Sequence, residues 1–183
     1  MMLVKKVSSK ICFVGDGGVG KTSLIGRYVY NKFDDRYIAT IGTKVSRKEI
    51  LLDYPHDNIR FKMDAMIWDI VGQKAFRGLL QEAYFHGARG VIGVCNLTDK
   101  KSLESLTDWV KSVKKVVGRI PIVLLANKKD LEEEVQLSDV EIRNMATNLS
   151  ATYLYTSAKT GENVGKAFNM IGREMIKSQF NIY

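Results

Sequence analysis

The chain has 183 residues, 45% of them hydrophobic and 26% charged, with a net charge of +8. That size is most simply one domain with a substantial core, and the composition is that of a soluble globular protein, with no apolar run near the roughly 20 residues of a membrane span. Two cysteines, two distant histidines (His56 and His86) and the short apolar start Met-Met-Leu-Val-Lys-Lys leave no basis for a disulfide framework, a histidine metal site or a secretory signal.

Taken in chain order, the first element is an apolar run, Ile11 to Val14, read as a buried strand. Gly15-Asp16-Gly17-Gly18-Val19-Gly20-Lys21-Thr22 follows, and then the helical spacing of Leu24, Ile25, Tyr28 and Val29. A strand, a glycine loop and a helix start are the setting that a G-x-x-x-x-G-K-[ST] phosphate loop requires. Backbone N–H groups in such a loop converge on phosphate oxygens at the positive helix end. Lys21 supplies a point charge to the β- and γ-phosphates, and the Thr22 hydroxyl can ligate Mg²⁺.

Val45 to Leu52 alternates apolar and polar residues, as an edge strand with one wet face does. The turn at residues 53–58 makes it half of a hairpin whose second strand starts near Ile59 and includes the run 63–70. Further buried strands are expected at 91–97, 122–126 and 152–156. Helical spacing marks Leu103 to Val117, Val164 to Met175 and, less regularly, Val140, Met145, Ala146 and Leu149. Ser102 and Ser138 are read as N-caps. The expected architecture is an α/β domain: a mostly parallel six-stranded sheet with one antiparallel edge strand and helices on both faces. Residues 1–7 are read as an N-terminal extension, 8–177 as the domain and 178–183 as a short tail. Cys12 and Cys95 fall in buried strands and read as core thiols.

In such a sheet ligands sit beyond the carboxyl ends of the strands, so the residues that follow each strand are the informative ones. Asp69-Ile70-Val71-Gly72-Gln73 comes after the run ending at Trp68, and an aspartate there can hold Mg²⁺ as acidic partner of the phosphate loop. Gly72 can offer its N–H to a γ-phosphate. Asn127-Lys128-Lys129-Asp130 follows the next-but-one strand. Asp130 can accept two hydrogen bonds from guanine N1 and its 2-amino group, which adenine cannot supply. Asn127 can tie neighbouring loops and approach N7, and the Lys128 stem can lie across the base. After the last strand, the Ser157 hydroxyl can steady Asp130, the Ala158 N–H can meet guanine O6, and Lys159 can cover the other base face.

With these residues in order, the chain resembles the Ras-like small GTPases, closest to the Rab and Ras branches, over about residues 8–177. The matching elements are the phosphate loop, Thr40 within Tyr37-Ile38-Ala39-Thr40-Ile41-Gly42, Asp69 with Gly72-Gln73, Asn127 to Asp130, and Ser157 to Lys159. The resemblance implies a GTP/GDP site with Mg²⁺, formed by Gly15 to Ser23, Phe33, Tyr37, Thr40, Gly72 and the two base loops. It implies that Thr22, Thr40 and Asp69 surround the metal and that Phe33 packs edge-on to the guanine. Catalysis would fall to Gln73, orienting the attacking water, with Lys21 and Gly72. It implies a switch for signalling or vesicle trafficking, with contacts at Thr40 and Gly72 holding two loops until hydrolysis releases them. An effector, an exchange factor and an activating protein are the implied partners. No arginine of the chain is clearly placed as a finger, so intrinsic turnover is expected to be slow.

Three departures stand out. The family's usual Asp-Thr-Ala-Gly-Gln is here Asp69-Ile70-Val71-Gly72-Gln73, which places a branched side chain near the phosphate. That motivates an alternative reading, a GTP-binding scaffold with little intrinsic hydrolysis. The hairpin is about six residues longer than usual, and a tolerated insertion is the preferred reading. No cysteine lies in the terminal Phe180-Asn181-Ile182-Tyr183 and no glycine follows Met1 for myristoylation, so no lipidation motif is present in this chain.

The expected location is cytoplasmic, with peripheral membrane association left open. The basic residues are scattered, with Lys111, Lys114, Lys115 and Arg119 on one polar helix face. No aromatic-interleaved basic stretch accompanies them, so a solvated surface is preferred and no nucleic-acid partner is expected. A nucleotide kinase using the same loop is disfavoured by the guanine-reading loops and the lack of an arginine-rich lid.

Overall fold

In a computed structural model, residues 2–36, 42–72 and 81–181 are described. Tyr37, Thr40 and Gln73 lie outside them. The strands are β1 (Leu3–Val14), β2 (Lys44–Tyr54), β3 (Ile59–Asp69), β4 (Ala88–Asn96), β5 (Ile122–Asn127) and β6 (Thr152–Tyr155). They form a six-stranded sheet in the order β2-β3-β1-β4-β5-β6. β2 runs antiparallel to β3, and the other pairs are parallel. This is the α/β architecture the residue pattern predicts.

The helices are α1 (Lys21–Tyr30), α2 (Gln81–Phe85), α3 (Lys100–Glu104), α4 (Leu106–Val117), α5 (Asp139–Leu149) and α6 (Val164–Phe180). Two cores, one on each face of the sheet, follow from the two-residue period of the strands. Ile11 and Phe13 of β1 join Leu24 of α1 and Phe168 and Ile171 of α6. Their neighbours Cys12 and Val14 point the other way, toward Trp109 of α4 and Ile142 of α5. Both cysteines are fully buried. Among the described residues no helix is long and apolar enough to cross a membrane.

Four local expectations are revised. The first strand begins at Leu3, not Ile11, and Leu3 to Ser8 pair with Ile59 to Asp64 of β3. Lysines and serines interrupt that half, so no apolar run marks it. The helix read from Leu103 to Val117 is two segments broken at Ser105. Its first N-cap is Asp99, whose carboxylate accepts from Lys101 N at 3.0 Å. Ser102 lies one turn inside and donates its hydroxyl to Asp99 O at 2.6 Å. In α5 the inward residues are Ile142, Ala146 and Leu149, and Val140 is 62% exposed.

Ser138 does cap α5, in a capping box with Glu141: each side chain accepts from the other's backbone N–H. The long hairpin packs onto α6. Arg173 donates to Asp53 O at 3.1 Å and lies 5.2 Å from the Tyr54 ring centroid. The Phe61 ring stands between Tyr54 and Phe180, with centroids 5.6 and 5.0 Å away.

Candidate functional site: a phosphate loop facing two base loops

The loop from Gly15 to Gly20 joins β1 to α1. Lys21, the first residue of α1, folds back over it and donates to Gly15 O at 2.6 Å and Asp16 O at 2.9 Å. Burial pulls this ammonium down to about 8, against the opposing pull of Asp69 and then Asp16. A buried cation with backbone carbonyls as its hydrogen-bond partners suits a chemistry that brings negative charge to it. Trp109 of α4 supports the loop from behind by donating from Nε1 to Asp16 Oδ1 at 2.9 Å. The sequence reading missed this residue, because a tryptophan at helical spacing reads simply as core.

Thr22 donates its hydroxyl to Asp69 Oδ2 at 2.5 Å, across 47 residues of chain. Asp69 Oδ1 is buried with no hydrogen-bond partner among the described residues. Burial pushes the pKa of this carboxyl above the ordinary carboxylate value, opposed by the Thr22 hydrogen bond and by the charges of Lys21 and Lys44. A hydroxyl and a carboxylate with one orphaned oxygen form a hard oxygen donor set that fits Mg²⁺.

Gly72, three residues beyond Asp69, lies against the phosphate loop. A Cβ there would come within 2.4 Å of Gly17 N and 2.5 Å of the Asp16 carbonyl carbon, so the approach admits glycine alone. Ile70 and Val71 just before it are both buried. The branched Val71 is therefore accommodated, with Gly72 still seated on the loop.

The loop after β5 is tied to the phosphate loop by a hydrogen bond, and the loop after β6 is tied in turn to the loop after β5. Asn127, at the end of β5, donates from Nδ2 to Val19 O at 2.9 Å and accepts from the Thr156 hydroxyl at 3.2 Å. Thr156 is another residue the reading missed, since nothing in a lone buried threonine singles it out. Ser157 donates to Asp130 Oδ1 at 2.6 Å and accepts from Thr160 N at 3.1 Å. Lys128 takes a left-handed backbone conformation, with φ +66°, which turns the chain between Asn127 and Asp130.

A cleft of about 960 Å³ joins these parts, at the upper end of the range for small-ligand sites. Gly17, Gly18, Gly20, Lys21, Thr22 and Ser23 line it together with Phe33, Gly72, Asn127, Lys128, Asp130, Ala158 and Lys159. Of the residues singled out from sequence, Gly15, Asp16 and Val19 frame the loop, and Asp69 and Ser157 stand behind the lining through their hydrogen bonds to Thr22 and Asp130. Tyr37, Thr40 and Gln73 fall outside the described residues.

A strand-loop-helix phosphate cradle, an acidic residue against its threonine and two base loops on the neighbouring strand ends define the Ras-like class of P-loop fold. Residues 10–177 match the Ras family model, and the chain belongs to that family. It is 34% identical over 168 residues to the Ras-related protein Rab-13 of Mesocricetus auratus, covering 91% of this chain and 79% of that protein. It is 33% identical over 172 residues to the Ras-related protein Rab-21 of Bos taurus, covering 93% and 74%. The Rab branch is thus the part of the family it falls in, and a small GTPase switch is the function that membership supports.

Proposed function

We propose that this protein binds GDP and GTP, hydrolyses GTP, and presents its bound state to partners through the segments around Thr40 and Gly72. The observation that carries the guanine assignment is the Ser157–Asp130 hydrogen bond, 2.6 Å long, beside a cleft shared with the phosphate loop. The bond aims a carboxylate at the cleft and leaves its other oxygen for a base edge. Guanine offers two adjacent N–H donors to such a group, whereas adenine would leave it unpaired.

The chain's own residues then divide the work. Lys21 exchanges the carbonyls of Gly15 and Asp16 for β- and γ-phosphate oxygens, and the loop N–H groups complete the cradle. Thr22 and Asp69, with Thr40, would hold Mg²⁺, whose charge offsets that building on the phosphate oxygens. Gln73 orients the attacking water, and Gly72 offers its N–H to the γ-phosphate. Loss of that phosphate removes the contacts of Thr40 and Gly72, which is the switching event. An effector, an exchange factor and an activating protein are the partners this cycle calls for, and vesicle trafficking is the setting that the resemblance to the Rab branch implies.

The test is competitive binding of GTP, ATP and XTP to the wild type and to Asp130→Asn, followed by single-turnover phosphate release from the loaded protein. The wild type is expected to prefer GTP strongly. Asp130→Asn is expected to lose at least about tenfold in GTP affinity and to shift toward XTP, whose 2-oxo group suits an amide donor. Equal wild-type affinity for ATP and GTP would remove the guanine assignment, and absence of phosphate release would remove hydrolysis.

A further inference from the structure

Arg27 lies outside every motif recognised in the sequence, six residues into the helix that starts with Lys21. Its side chain crosses to the far base loop, 131 residues away: Nε donates to Ala158 O at 2.9 Å and Nη2 to Lys159 O at 2.6 Å. The third nitrogen, Nη1, donates to Asn31 Oδ1 at 3.3 Å, and Asn31 is the left-handed C-cap of α1. The guanidinium carbon also lies 5.9 Å from the centroid of the Phe33 ring. One planar fork thereby holds the base loop, the end of α1 and the aromatic residue that follows it.

We propose that Arg27 is a positioning residue that clamps the Ala158–Lys159 turn and Phe33 to the phosphate-loop helix, and so sets how long a guanine nucleotide stays bound. This rests on the guanine-nucleotide reading of the cleft. The base loops have two ties to the phosphate side with different anchor points. Asn127 fastens the β5 loop to Val19, and Arg27 fastens the β6 loop to α1. Two successive backbone carbonyls facing a planar fork are a recognition geometry that arginine satisfies and a point-charge lysine satisfies only in part. With the carbonyls of Ala158 and Lys159 held, the two peptide planes that follow Ala158 are fixed, and with them the course of the turn at the cleft wall. Release of GDP requires the base side to open, and Arg27 opposes that opening.

The experiment measures the dissociation rate of a fluorescent GDP from the full chain in Mg²⁺, for the wild type, Arg27→Ala and Arg27→Lys. Equilibrium competition by inorganic pyrophosphate, which reaches the phosphate loop and lacks a base, is measured alongside. Arg27→Ala is expected to release GDP at least about tenfold faster while pyrophosphate affinity moves less than twofold. Arg27→Lys is expected to fall between the two. GDP release from Arg27→Ala within twofold of the wild type would overturn the clamp. So would equal losses for GDP and pyrophosphate, which mark a general structural defect, or wild-type behaviour of Arg27→Lys. A wild type that binds no GDP would instead overturn the guanine reading, and the clamp with it.

Discussion

Gly20 is where steric necessity can be read most directly. Its φ is +102°, and a Cβ would stand 2.3 Å from Asn127 Nδ2, the atom that ties β5 to the phosphate loop. Alanine there combines a strained backbone with a collision against a buried, hydrogen-bonded amide. Gly20→Ala is expected to lower stability by about 2–4 kcal/mol and to abolish GDP binding at micromolar protein, as read by denaturant unfolding and by fluorescent-nucleotide titration. The glycine and the asparagine both belong to motifs recognisable in the sequence. Their mutual contact does not, because they are more than a hundred residues apart and meet only through the pairing of β1, β4 and β5.

At the scale of single elements, local chemistry was legible wherever a cap competes with few alternatives. Ser138 with Glu141 three residues on is a capping box in sequence and in space. Ser138→Ala is expected to cost about 1 kcal/mol, a fall of about 2–4 °C in the melting temperature of a domain this size, measured by calorimetry. Ser102 misled for a physical reason: Asp99 three residues earlier is the better acceptor for a free N–H, and it pushes the cap outward by three positions. β1 was underestimated because a strand with polar residues on both faces has no periodicity to show. Its length is set instead by β3 alongside it. The long hairpin is likewise shaped by its neighbour, through Arg173 and Phe180 of α6.

Across the whole molecule, the two-faced sheet puts Cys12 and Cys95 at zero exposure, and burial pushes both thiols up to about 12. A thiol that far above neutrality carries almost no thiolate. The folded protein is therefore expected to be inert to a disulfide thiol reagent at pH 8 and to react at two sites once unfolded, read by absorbance. The linkage has a definite sign. From the ordinary thiol value of 9.0 upward, the unfolded chain gives up these protons before the folded one does. Stability should therefore fall as the pH rises from about 9 toward 12.

The glycine loop, the acidic residue after β3 and the two base loops are local strings whose chemistry depends on residue type and spacing, so sequence alone determined the fold class and the kind of site. The tertiary structure decided which atoms hold those strings to one another. Trp109 against Asp16, Thr156 against Asn127 and Arg27 against Ala158 and Lys159 are contacts between segments far apart in the chain. Nothing in the neighbourhood of any one of these residues encodes its partner. Each is specified only when the sheet brings the carboxyl ends of β1, β5 and β6 to one edge, where a buried carbonyl or carboxylate must find a donor.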